Sequence, residues 1–197
     1  MEQRHPRKPA AAKPPGSGKP DNKQAVKPAK SGARGGIVSS SHLVSPRSVE
    51  LSEFEFGLIV AWNAFSRWAM RCMAAAGRPD LTITDVLVLH HINHRARNKK
   101  LADICFVLNY EDTHVVAYSL KKLLAAGLAQ GDRQGKEVFY SPTIAGEEAV
   151  QKYREVRETC LIDNLDAERN PDIGEMARLL RTMSGLYDQA ARAATSL

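Results

Sequence analysis

Nowhere in the 197 residues does an apolar run approach the ~20 residues that a bilayer-spanning helix needs. A soluble protein without a membrane partner is expected. Cysteine is scarce: Cys72, Cys105 and Cys160 are odd in number, far apart and without a CxxC pair. That pattern implies neither a disulfide framework nor a zinc cluster, and it points to a reducing cytoplasm. Also missing are a nucleophile elbow, a glycine-rich phosphate loop and paired carboxylates in an apolar run, so neither an enzyme nor a cofactor is expected. No internal repeat is present.

Apolar residues make up 43% of the chain, enough for one good core. The formal charge of +6 is unevenly spread. Residues 1–47 hold ten Lys or Arg against Glu2 and Asp21, net +8, whereas residues 48–197 are net −2. Apart from its last residues, this stretch is rich in Pro, Ala, Gly and Lys and has no aromatic, too little apolar surface to offset the entropy of ordering. Residues 1–47 therefore read as a disordered basic tail and 48–197 as the folded domain. The tail has no hydrophobic stretch for secretion, and its prolines break the amphipathic helix of a transit peptide. It is either a solubilising leader or a polycation that holds the protein near nucleic acid by counterion release.

The densest information lies in residues 100–142. Leu101, Ile104, Cys105 and Leu108 recur at helical spacing, so a helix runs from about Lys100 to Leu108. Asn109 and Tyr110 make a turn. Glu111, Asp112 and Thr113 supply acidic and capping side chains, and Val116, Leu120, Leu123 and Leu124 carry a second apolar stripe to a stop at Gly127. Leu128 to Gln130 and Glu137 to Tyr140 alternate about Gly131–Gly135, which marks a hairpin with a basic tip. Helix, turn, helix and hairpin in that order form a winged helix-turn-helix, whose second helix enters the major groove of DNA. The DNA-binding lobe spans about 82–142.

The run from Leu101 through Leu120-Lys121-Lys122-Leu123 to Ala126-Gly127-Leu128 is followed by Asp132, Arg133 and Lys136. Thr143-Ile144-Ala145-Gly146 then opens a further helix. Together these resemble the MarR-type winged-helix transcription regulators over about residues 50–195. That family usually has an Arg- and Ser-rich recognition helix, whereas this one carries Thr113, His114, Ala117 and Tyr118. The resemblance implies a transcription regulator of duplex DNA, either responsive to a small-molecule effector held between the dimer and DNA-binding lobes or constitutive without a ligand. An architectural protein that coats DNA without sequence preference is the alternative.

Around this motif, a long helix from Ser52 to about Ala76 carries Phe54, Leu58, Trp62, Phe65, Trp68 and Cys72, and stops at Gly77-Arg78-Pro79. Thr82 or Thr84 caps a helix from Asp85 to about His94. Arg95, Arg97, Lys99 and Lys100 follow as a basic connection. Thr143 caps a helix to about Ala167, Asn170-Pro171 breaks it, and Ile173 to Ala194 forms the last helix. The fold class is therefore mainly α, a winged helix-turn-helix with a two-stranded wing and flanking dimerisation helices. The flanking helices have more apolar surface than one small winged domain covers, so a homodimer is expected.

On the second helix, His114, Ala117, Tyr118 and Lys121 lie opposite the apolar stripe. Thr113 and His114 can hydrogen-bond base edges, Ala117 can meet a thymine methyl, and Tyr118 can bond a base or a phosphate. An ordinary solvated face is the bland alternative. Lys99, Lys100, Lys121, Lys122, Arg133 and Lys136 are the candidate phosphate anchors, since Glu111 and Asp112 repel phosphates from the helix start. His90, His91 and His94 form an HHxxH cluster in which His90 and His94 share a face at metal-chelating spacing. Without acidic residues between them, structural histidines are the preferred reading. Cys72, close in sequence to Arg71 and Arg78, is a candidate reactive thiol, with a buried apolar cysteine preferred. Trp62 and Trp68 either line a ligand pocket or pack helices.

Overall fold

The computed structural model describes residues 44–94 and 99–197. The expectations for residues 1–43, and for Arg95 and Arg97, lie outside the described residues. The chain opens with α1 (Val49–Ala75), which starts three residues before the apolar pattern implied. Only its C-terminal third reaches the core, through Ala69, Cys72 and Met73. A second helix, α2 (Ile83–Asn93), begins at Thr82. The Thr82 hydroxyl accepts from the Asp85 N–H at 3.4 Å and the Asp85 carboxylate accepts from the Thr82 N–H at 2.8 Å, so two unpaired amides are satisfied reciprocally.

After β1 (Lys99–Lys100) comes α3 (Leu101–Leu108), and then α4 (Thr113–Ala125). Asn109 joins them in the left-handed region at φ 55°, a conformation that Asn tolerates better than most residues. Its N–H and that of Tyr110 close onto the carbonyls of Phe106 and Cys105. At the other end of α4, Gly127 takes φ 66° and the Leu128 N–H returns to the Leu123 carbonyl at 2.9 Å, a glycine stop that turns the chain into the wing.

The winged helix-turn-helix is present, but its wing is larger than the sequence implied. Strands β2 (Ala129–Gln134) and β3 (Glu137–Pro142) pair antiparallel, with Gln134 opposite Glu137, so the tip is Gly135-Lys136. Gly131 to Gln134 continue the strand because backbone pairing does not require the side-chain alternation that these polar residues lack. The two-stranded wing is as expected, and β1 adds a strand that the sequence did not reveal: its Lys99 and Lys100 pair with Tyr140 and Phe139 to give a three-stranded sheet in the order β1-β3-β2.

Beyond the wing, α5 (Ile144–Arg157) is capped by Thr143 and ends ten residues earlier than expected. One wide π turn over Glu158–Ile162 loosens the ladder, Asp163 bonding back five residues to Glu158, and Asp166 then caps a short 3-10 turn over Ala167–Arg169. The last helix, α6 (Asn170–Ala194), has Pro171 in its first turn, where the missing N–H costs nothing; the proline starts this helix.

A single core joins α1 to α5. Met73 of α1, Val86, Leu89 and Ile92 of α2, Ile104 of α3, and Val116, Leu120 and Leu123 of α4 are essentially inaccessible to water. None of the described helices is long and apolar enough to cross a membrane.

Candidate nucleic-acid interface

The burial of Val116, Ser119, Leu120 and Leu123 fixes the rotation of α4, and the opposite face is open. His114, Tyr118 and Lys121, spaced i, i+4, i+7, form its exposed row, with Tyr118 retaining 73% of its accessible surface. Thr113 is exposed at the first turn, and Ala117 is half-buried on one flank. Asp112 caps the helix, its carboxylate accepting from the His114 N–H at 2.8 Å. Val115, 39% exposed on the other flank, is an outward side chain that the sequence reading passed over. It falls outside the main polar row, and its β-branched, apolar type matched the core stripe.

The candidate phosphate anchors separate into two groups. Lys121 is exposed on α4, and Lys136 stands at the exposed tip of the wing. Arg133, on β2 where the sequence had placed the tip, turns back to the Gly135 carbonyl at 3.4 Å. Lys100 is bound to Glu137 at 2.5 Å and lies over the Phe139 ring, and Lys99 donates to the His94 carbonyl. Lys122 does not present itself to a phosphate. Its ammonium donates to Asp85 Oδ2 at 2.7 Å and to the Asp80 carbonyl at 2.6 Å, tying α4 to the start of α2. Burial opposes charge on the nearly inaccessible Asp85, but the hydrogen bonds from Lys122 and Thr82 outweigh it and hold the carboxyl below its usual range.

Between α1, α2 and α5 runs a concavity of about 330 Å³, lined by Phe65, Leu87, His90, Tyr153, Arg154 and Arg157 among others. The His90 ring stands edge-on to Tyr153 at 4.4 Å, its Nε2 is buried without a hydrogen-bond partner, and burial holds its pKa below the usual value. His90 is thus a packed aromatic, and no cluster of three or more metal-ligating side chains occurs among the described residues. Cys72 is buried, donates to the Tyr153 carbonyl at 3.4 Å, and is pushed up to about 11 by burial first and by Cys160 next, the reverse of a reactive thiolate. Trp62 is exposed, 6.1 Å from the Phe65 ring, and Trp68 is partly buried against the core.

Comparison with known proteins places this geometry. Residues 81–146 match the family model of a winged helix DNA-binding domain. Among solved structures, AbfR of Staphylococcus epidermidis is similar with a TM-score of 0.58 at 16% identity, over 73% of this chain and 99% of that one. Streptococcus pneumoniae FabT in complex with DNA gives 0.55 at 15%, over 70% and 99%. MarR gives 0.52 at 17%, over 66% and 97%. No curated protein sequence matches. The matched segment and the fold define the class, a winged helix-turn-helix protein. Over 66% of the chain the fold is similar to that of MarR, so the winged helix-turn-helix with flanking helices read from the sequence is borne out as a fold.

Proposed function

We propose that the chain is a sequence-specific transcription regulator that binds duplex DNA as a homodimer in the cytoplasm, with α4 in the major groove and the wing on the adjacent backbone. The observation that carries this reading is the two-sided α4: Val116, Leu120 and Leu123 are buried, while His114, Tyr118 and Lys121 stand in one exposed row. A helix anchored so firmly on one side presents fixed hydrogen-bonding groups on the other, the arrangement that direct readout of base edges needs. The DNA-bound FabT shares the fold, which supports duplex DNA as the partner. Thr113 and Ala117 flank the reading row, and Lys99, Lys100, Lys121, Arg133 and Lys136 supply positive charge beside it.

The basic tail, residues 1–47, adds affinity without sequence choice. Lysines spaced by Pro and Ala follow phosphates but offer no fixed geometry to bases. The concavity at His90 is the proposed effector site, its aromatic walls and two arginines suiting an aromatic anion. A ligand there acts on the angle between the DNA lobe and the flanking helices. Selection of genomic fragments with the purified protein, followed by sequencing, tests the central reading. Enriched two-fold symmetric sites are expected. A flat profile favours the architectural alternative, in which the winged fold and tail hold only the backbone.

A further inference from the structure

Beside the exposed row of α4 lies a groove of about 380 Å³, between the Val115 flank and the start of α2. Its lining includes Thr82, Thr84, Val115 and Tyr118 together with the carboxylates of Asp85 and Asp112. Two features decide what such a groove accepts. Asp85 is neutralised by Lys122, but Asp112 stands exposed at the helix start, so a phosphate meets negative charge there. The apolar part, the Val115 methyls, is exposed beside His114 and Tyr118, the two side chains assigned to base edges. A base edge that reaches His114 or Tyr118 therefore brings its neighbour against Val115. In the major groove the apolar group that a base presents is the 5-methyl of thymine.

We propose that Val115 is a specificity-determining residue that reads a thymine methyl from the α2 side of the recognition helix, with Asp112 keeping the phosphate backbone out of the groove. This inference rests on the DNA-reading role of α4 and names one base of its target. Val115 needs no rearrangement to act, because β-branching restricts its side chain and α4 is fixed from beneath by Val116 and Leu120. It discriminates thymine from cytosine by contact and from uracil by the methyl alone.

The test uses the full chain and the duplex that the fragment selection enriches. Each thymine of one half-site is replaced in turn by deoxyuridine, which removes one methyl and leaves pairing and hydrogen-bonding groups unchanged. The wild-type protein is expected to lose roughly fourfold in affinity at one position, the worth of one buried methyl group. Val115→Ala is expected to bind the thymine and uracil duplexes equally at that position, and Val115→Thr, which keeps one methyl, to fall between. Alanine favours a helix more than valine does, so folding is preserved, and a thermal melt verifies it. The proposal is overturned if no deoxyuridine substitution weakens binding, or if the penalty is the same in wild type and Val115→Ala; sequence-specific binding then stands without it. Failure to enrich any site overturns the regulator reading itself, and this inference with it.

Discussion

Lys122 illustrates how one side chain changes meaning when its neighbours are known. In sequence it stands beside Lys121 as half of a basic pair, and both were candidates for phosphate contact. In three dimensions Lys121 is exposed and Lys122 is spent on Asp85 and the Asp80 carbonyl. Adjacent positions on a helix point about 100° apart, so the pair cannot share a role. Lys121→Ala is expected to lower the slope of log affinity against log salt by ~0.9, the loss of one phosphate contact. Lys122→Met is expected to leave that slope unchanged and to destabilise the fold by about 2–3 kcal/mol. This is less than the ~3–5 kcal/mol of a fully buried pair, because the lysine keeps partial water contact. Salt titration of binding and chemical denaturation separate the two; a lower salt slope for Lys122→Met would return it to the interface.

His90 carries a prediction of its own. Burial keeps it neutral in the folded protein, below the ordinary value of 6.5, while the unfolded chain protonates there freely. Its contribution to stability is therefore fully present above about pH 6.5 and is lost as the pH falls through the folded value. The melting midpoint should drop between pH 7 and pH 5, and His90→Phe, which retains the ring packing on Tyr153, should flatten that drop. His91, held low by burial and then by Lys99 and His94, leaves a residual slope. An identical pH dependence in His90→Phe and wild type would refute this assignment.

At the scale of elements, the order and type of helices were legible because each buries a stripe at helical spacing, and stripes survive translation into structure. Boundaries were less legible where backbone geometry decides them. The wing was read short because Gly131, Asp132 and Arg133 lack alternation, although the ladder runs through them to Gln134. The end of α5 was read long because nothing in Glu158–Ile162 is a conventional breaker; a wide turn ends it. Of the candidate site, the exposed row on α4 followed from the stripe, whereas Lys122 and Val115 depend on where α2 lies. Gly146 is another residue whose importance is tertiary. An added Cβ would come 2.1 Å from the Leu128 carbonyl oxygen, where the Thr143 hydroxyl also donates to the Gly127 carbonyl and α5 leaves the root of the wing. Gly146→Ala is expected to cost about 1–3 kcal/mol or more by overpacking against backbone that cannot yield. Gly174→Ala on α6, where an added Cβ meets only the far end of the flexible Arg178 side chain at 4.0 Å, should stabilise by up to ~1 kcal/mol. Equal midpoints for the two variants would show that the α5 start is looser than its contacts imply.

For the molecule as a whole, the unequal distribution of apolar surface is the governing fact. The winged lobe holds most of the core, but the first half of α1 and all of α6 stand outside it: α6 spans 25 residues with no buried position, and Ile59 of α1 is 59% exposed. Within the chain α6 is tied by the Tyr187 hydroxyl to Glu55 at 3.1 Å and, at 3.5 Å, by Asn109 to Ser184 and Asp188. Three polar contacts, two of them exposed and one part-buried, contribute too little to hold a long helix, since helical stability in proteins comes mostly from packing an apolar face. Met176, Leu179 and Leu186 on α6, with Phe56, Ile59 and Trp62 on α1, are the surface that a second copy would cover. A stable dimer covers about 800 Å² on each partner, an area that two such helices can supply. The full chain should therefore sediment as a dimer at micromolar concentration. The double substitution Ile59→Glu and Leu179→Glu should shift it to monomer, reduce helical circular dichroism as α6 frays, and lower affinity for a two-fold site to that for a single half-site. Retention of helix content in a fully monomeric variant would mean that α6 is held by its own chain, and wild-type sedimentation as a monomer would leave those two faces for another partner.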